Sequence, residues 1–287
     1  RNNNLNKSFN EILFEGLSED GGLFMPHTWP HLDINNVKSL TYIELAHKVI
    51  SPFVHETISN EDLLKIIKKT YDNNFDHKDI APLVKIDKNK YILELFYGPT
   101  LAFKDYALQF LANLFSYNID LSKKKLTILG ATSGDTGSAA IEAFKDKSDI
   151  DVFILHPKNM VSDVQRLQMT TVTNKNINNI GIEGTFDDCQ KIVKQMFLDK
   201  EIQSKTRLIA INSINFIRLL AQTVYFFWAF LKTESSKINF IVPTGNFGNV
   251  FSARIAKYMG LPIEKLFVAT NENDILFKSI MYGKMKI

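Results

Sequence analysis

From about residue 91 onward, short apolar runs rich in β-branched and aromatic residues alternate with longer amphipathic runs, and this alternation limits the possible folds more than any other feature of the chain. Strand candidates fall at 91–96, 126–129, 152–155, 177–182, 208–211, 238–242 and 266–269. Helical runs lie between them at 103–115, 135–145, 163–171, 185–198, 214–231 and 248–259. Strands that are apolar at nearly every position need cover on both faces, so the pattern predicts an α/β fold with mostly parallel, doubly wound sheet. Ligands of such sheets bind beyond the carboxyl ends of the strands, where loops feed helix N-termini. The loops after strands are therefore the place to look for chemistry.

The first 90 residues read differently, as helices and loops. Ser8 with Glu11, and Thr41 with Glu44, have capping-box spacing ahead of apolar runs. A third helix is expected over 61–71, with Leu63, Leu64, Ile66 and Ile67 inward and Lys65, Lys68 and Lys69 outward. The chain thus divides into a helical N-terminal region (1–90), an α/β domain (91–235) and the start of a further α/β part (236–287). With 45% hydrophobic residues there is ample apolar side chain for a core, which excludes intrinsic disorder.

Charge and cysteine usage narrow the function. Lys+Arg 34 against Asp+Glu 31 is too balanced for a nucleic-acid footprint, and the densest basic run is only 123–125. The single cysteine, Cys189, excludes a disulfide framework and a CxxC site, and is expected in the core. The six histidines are scattered and none pairs at metal spacing, so no metal is expected. The longest apolar run, near 224–231, is too short to span a membrane. Its residues Tyr225, Phe226, Phe227, Trp228 and Phe230 read as a buried helix. No signal-peptide pattern is present, although the chain opens at Arg1 without a methionine.

Several loops could carry chemistry. In Gly98-Pro99-Thr100-Leu101-Ala102-Phe103-Lys104-Asp105 a lysine opens an otherwise apolar helix. Either it is a surface lysine beside Asp105, or burial and the positive helix end lower its pKa and make a nucleophilic amine. Gly130-Ala131-Thr132-Ser133-Gly134-Asp135-Thr136-Gly137 is either an anion nest at a helix start or an ordinary cap with turn glycines. It is neither a Walker loop nor a GxSxG elbow. Pro243-Thr244-Gly245-Asn246-Phe247-Gly248-Asn249 is either a phosphate cradle or a Gly/Asn turn. In Asn212-Ser213-Ile214-Asn215-Phe216-Ile217-Arg218 the arginine either clamps an anion bidentately or is solvated behind a helix cap.

Together, GPTLAFKD, ATSGDTGSAA, NSINFIRLLAQ and PTGNFGN, with DGGLFMPHTWP and VATNENDI, resemble the threonine synthase family of fold-type-II pyridoxal 5′-phosphate enzymes along essentially the whole chain. The resemblance implies a lyase of threonine biosynthesis that converts O-phospho-L-homoserine and water to L-threonine and phosphate. It implies that Lys104 carries the cofactor as a Schiff base and is the catalytic residue. Gly245, Asn246, Phe247, Gly248 and Asn249 would cradle the cofactor phosphate. Asp135 would lie near the cofactor's 3′-oxygen, where other members carry Asn, and when ionised could accept but not donate there. Ser133 and Thr136 would help hold the substrate, and Asn212, Ser213 and Arg218 would bind its phosphate. It also implies a cytoplasmic monomer or homodimer without nucleic-acid or membrane partners. Family members are longer at the C-terminus, so the residue facing the cofactor's pyridine nitrogen is expected beyond Ile287 and the chain reads as a fragment.

Overall fold

The computed structural model describes residues 6–16, 18, 22–122, 126–211 and 215–283. Helix α1 (Phe9–Glu15) and helix α2 (Tyr42–Val54) open with the capping boxes read from the sequence: the Ser8 and Thr41 side chains accept from Glu11 and Glu44 N–H, and each glutamate accepts from the cap backbone in return. Helix α3 (Asn60–Tyr71) is capped by Ser59. A short hairpin follows, with β1 (Leu83–Asp87) antiparallel to β2 (Lys90–Leu93). This corrects two expectations. The first 90 residues contain a strand, and the candidate at 91–96 ends early and stays out of the main sheet. Strand β1 is short and mostly exposed, so it lacks the apolar signature by which buried strands are recognised.

The central sheet is wholly parallel, in the order β5-β4-β3-β6, with β3 (Leu126–Ala131), β4 (Ile150–Pro157), β5 (Ile177–Ile182) and β6 (Arg207–Ala210). Its linking helices are α5 (Asp135–Phe144), α6 (Asp163–Thr170), α7 (Phe186–Leu198) and the short, unforeseen α8 (Lys200–Lys205). Period-two alternation divides the strands between two cores. Leu126, Ile128, Val152 and Ile154 face the larger core, together with α4 (Lys104–Ser122), α5 and α9 (Phe216–Leu231). Leu129 and Leu155 face Cys189 and the apolar side of α7. The doubly wound architecture is therefore as expected, but it is split. Strands β7 (Ile238–Pro243) and β8 (Ile263–Ala269) form their own parallel pair around α10 (Gly248–Tyr258), followed by α11 (Ile275–Tyr282), which the sequence reading did not foresee.

The chain first runs from β3 through β4 to β5, then returns to lay β6 on the other side of β3. The carboxyl ends of β3 and β6 therefore flank the point at which the winding reverses, the position where sheets of this kind bind ligands. Helix α9, fed by β6, is the spine of the larger core. It is buried from Phe216 to Phe230, on all sides, as its aromatic run suggested. Near its end, Trp228 Nε1 donates to the Ala81 carbonyl at 2.7 Å, and its ring meets Tyr42 edge-on at 5.5 Å. Phenylalanine at 228 keeps most of the apolar area but leaves that buried carbonyl without its donor. Trp228→Phe should cost about 2 kcal/mol in urea unfolding. A loss below about 0.5 kcal/mol would mean that the bond contributes little.

Candidate active site

Lysine 104 is brought into place by a tight turn. The Asp105 side chain is fully buried, and its carboxylate accepts from Thr100 N–H at 2.8 Å, the Thr100 hydroxyl at 2.7 Å and Ala102 N–H at 3.5 Å. Burial pushes the Asp105 carboxyl above its ordinary range, and the Thr100 bonds pull the other way. The turn leaves no room at Gly98, where a Cβ would lie 2.6 Å from the Asp105 side chain. It also holds Leu101 at φ 59, a left-handed conformation that a leucine adopts only under constraint. Gln168 ties the turn to α6 by donating to the Thr100 carbonyl at 3.1 Å.

The turn delivers Lys104 as the first residue of α4, with only 7% of its surface exposed. Its ammonium is bidentate on Asp135, 3.1 Å from Oδ1 and 3.0 Å from Oδ2. The surface lysine beside Asp105 is thus excluded, because Asp105 is engaged with its own loop and the partner comes from the glycine loop 31 positions away. Burial lowers the Lys104 pKa, the Asp135 carboxylate partly restores it, and the nearby Arg218 cation lowers it further. A cation at the positive end of a helix, out of water and near a second cation, gives up its proton more readily than a lysine in solution.

The glycine loop after β3 is braced by Thr132, whose hydroxyl accepts from Gly134 N–H at 3.1 Å and Gly137 N–H at 2.9 Å. A Cβ at Gly134 would overlap the Gln165 amide, so α6 seals one side of the loop. Ser133 is exposed at the tip, and Asp135 and Thr136 are half-buried. Arg218 enters from α9 and is 2% exposed. Burial lowers its pKa to about 10, against the opposing influence of Asp135 and Tyr225. Asn212 and Ser213 lie outside the described residues.

The third loop joins β7 to α10. Gly245, Asn246 and Phe247 are exposed, whereas Gly248 and Asn249 are half-buried. A Cβ at Gly245 would meet nothing within 4 Å, so the loop opens to space. Phe247 stands at the N-cap of α10 and offers no side-chain acceptor, which leaves the first amides of α10 without the cap that Ser, Thr, Asp or Asn gives most other helices here. Such an end suits an anion. The amide of Asn249 is held by Tyr225 of α9, whose hydroxyl donates to Oδ1. Lys104, Asp135 and Arg218 thus form one electrostatic cluster, and Tyr225, which borders Arg218, reaches the third loop. Sequence reading missed the supports: Thr132, Asp105, Gln165, Gln168 and Tyr225. Only Asp105 carried a local signal, as an acidic residue in the first turn of a helix.

Other features are quieter. Among the described residues no group of three His, Cys, Asp or Glu could hold a metal ion. His156 is buried, its Nδ1 3.4 Å from the Pro157 carbonyl, as befits a structural histidine. A groove of about 600 Å³ between α1 and the end of α2, lined by Phe24, His27, His55 and Phe216 among others, contains none of the cluster residues.

The Lys104–Asp135 pair has a measurable signature. The carboxylate holds the proton on the amine, so Asp135→Asn should make Lys104 titrate at lower pH. Reductive alkylation of Lys104 with formaldehyde, followed by mass spectrometry, should then rise at a lower pH in the variant than in the parent. A rise at the same or higher pH would refute the pairing.

The chain is similar to known proteins along nearly its whole length. A family model for the threonine synthase N terminus matches residues 1–71. The chain is 48% identical over 276 residues to threonine synthase of Pseudomonas aeruginosa, covering 94% of this chain and 59% of that protein. It is 47% identical to threonine synthase of Saccharomyces cerevisiae, covering 96% of this chain and 58% of that one. The crystal structure of PLP-bound threonine synthase from Brucella melitensis superposes with a TM-score of 0.90 at 44% identity, over 96% of this chain and 60% of that one. The chain thus spans about three-fifths of the length of the curated relatives it matches. Within that span the chain is similar to threonine synthases in both sequence and fold.

Proposed function

We propose that the protein converts O-phospho-L-homoserine and water to L-threonine and inorganic phosphate, with pyridoxal 5′-phosphate bound through Lys104. The observation that carries this reading is the Lys104 amine itself, 7% exposed at the start of α4, with its pKa lowered by burial and its proton held by Asp135. An amine that must attack an aldehyde has to be neutral, and burial eases the loss of the Lys104 proton.

The residues present fit the cofactor. The loop 245–249 is open, its glycine faces space, and the first amides of α10 have no side-chain cap, as a phosphate dianion requires. Gly245, Asn246, Phe247, Gly248 and Asn249 would hold that phosphate. Asp135 would lie by the ring's 3′-oxygen and, while ionised, would accept there. When bound, the cofactor supplies an electron sink for the pair left at the substrate Cα. The Lys104 amine, when free, would take the Cα proton and later return it. Ser133 and Thr136 would orient the substrate from the tip of the glycine loop. Arg218, with Asn212 and Ser213, would bind the substrate phosphate and stabilise it as it departs. An arginine kept cationic in a buried cluster favours a phosphate-bearing substrate over the uncharged side chains that a serine/threonine dehydratase of the same fold type would take.

In this reading residues 1–90 support the site, 91–235 carry Lys104 and the substrate loops, and 236–287 carry the cofactor-phosphate loop. The setting would be the cytoplasm and the working form a monomer or homodimer. No helix among the described residues is long and apolar enough to cross a membrane, and Cys189 is buried and unpaired, which is consistent with that setting.

Lys104→Ala should abolish the yellow absorbance that added pyridoxal 5′-phosphate gives with the protein, together with phosphate release, while the far-UV circular dichroism stays unchanged. Retention of that absorbance would reject the role of Lys104. Arg218→Ala should raise KM for O-phospho-L-homoserine about 30-fold or more, with cofactor affinity changed by less than about 3-fold, as expected for loss of charge-assisted hydrogen bonds to one anion. Equal losses in both would contradict the assignment.

A further inference from the structure

Helix α9 carries a line of buried polar side chains that the reaction as described does not use. Gln222 Oε1 accepts from the Ser252 hydroxyl at 3.2 Å, and that hydroxyl also lies 3.0 Å from the Gly248 carbonyl. The Thr223 hydroxyl reaches the Ser252 carbonyl at 3.4 Å. Tyr225 completes the line with its bond to Asn249 Oδ1 at 2.5 Å. All of these partners lie in the first turns of α10, directly after the exposed glycine of the third loop. Polar groups are costly to bury, and three of them converging on one short stretch of helix fix it rather than merely fill space.

Tyr225 differs from the others in what its bond decides. It is fully buried, and burial, with the neighbouring tyrosines Tyr106 and Tyr71, holds its hydroxyl protonated far above the ordinary range. A hydroxyl that cannot ionise donates its proton to Asn249, so the carbonyl end of that amide is occupied. The amide nitrogen is then the end left over, and no described residue accepts from it. Its two N–H donors are of the sign that an anion at the start of α10 needs. The ring is itself locked: Tyr106 meets it edge-on at 5.7 Å, the Tyr106 hydroxyl donates to the Ile80 carbonyl at 2.6 Å, and the Tyr71 hydroxyl donates to the Tyr106 carbonyl at 3.0 Å. Tyr106 sits two positions after Lys104 in α4. Seven positions before Tyr225 on the same face of α9 stands Arg218, which sets the two groups about 10 Å apart along the helix axis.

We propose that Tyr225 is a positioning residue for the cofactor phosphate: it fixes the Asn249 amide with its N–H₂ toward the phosphate and, through α9, sets the distance from that phosphate to the anion held by Arg218. The proposal rests on the reading that the loop 245–249 takes a phosphate. It is specific to the phosphate, not to the ring or aldehyde of the cofactor, and that separates it from a packing role.

The test compares pyridoxal 5′-phosphate with pyridoxal, which lacks the phosphate, by titrating each into the protein and reading the visible absorbance of the Lys104 adduct. Tyr225→Phe, which keeps the ring and its packing, should weaken the phosphate form about tenfold, in line with one lost charge-assisted bond, and leave pyridoxal within about twofold. Asn249→Ala should do the same, and the double variant should be no weaker than either single one. Equal weakening of both ligands by Tyr225→Phe would show a packing role and overturn the proposal. A phosphate-selective loss in Asn249→Ala without one in Tyr225→Phe would overturn it while leaving the loop assignment intact. If the parent protein binds both ligands equally well, the loop assignment falls and the proposal falls with it.

Discussion

A buried ammonium held by one carboxylate is the interaction on which the rest of this molecule depends. Lys104 sits where two influences oppose each other. Desolvation and the positive end of α4 drive the proton off, and Asp135 keeps it on. An isolated lysine so placed would be a liability to the fold. Paired across the mouth of the sheet, it is a buried amine whose proton is held by a carboxylate of the glycine loop. The strain in the turn before it, visible in the left-handed Leu101, follows from the same demand, since the chain must turn sharply enough to bury the amine instead of letting it reach water.

The sheet and α9 provide the frame. Reversal of winding between β3 and β6 places the glycine loop and the start of α9 side by side, so Asp135 and Arg218 meet although they are far apart in the chain. Helix α9 is buried on every side, yet it carries Arg218, Gln222, Thr223 and Tyr225. Each has a use: one faces the cluster, and the other three hold α10. Burial of these groups gives them fixed geometry, and their apolar neighbours give the helix the rigidity to act as a spacer.

The strongest sequence signals were local ones, and they survived in the structure. The capping boxes at Ser8 and Thr41 formed as read, because three residues of spacing are enough to specify them. The β/α alternation located most elements, since a buried strand and an amphipathic helix differ in period. The failures were non-local or weakly patterned. Strand β1 is exposed and short, and the division into two separate parallel sheets depends on which strands find each other, which periodicity does not record. The supports of the site were also hidden. Nothing near Gly134 announces Gln165, and nothing near Asn249 announces Tyr225.

The amino-acid order by itself determined where helices begin, which runs enter a core, and that three glycine-bearing or lysine-bearing loops follow strands, because each of these is set by residues within one or two turns of one another. It also carried the motifs by which the family is recognised. Tertiary structure decided whom the charges face. Lys104 could have paired with Asp105, its neighbour in sequence, but that carboxylate is consumed by the Thr100 turn, and the lysine reaches instead to Asp135. Partner choice among charges depends on burial and on distances through space, and these exist only once the sheet has brought its loops together.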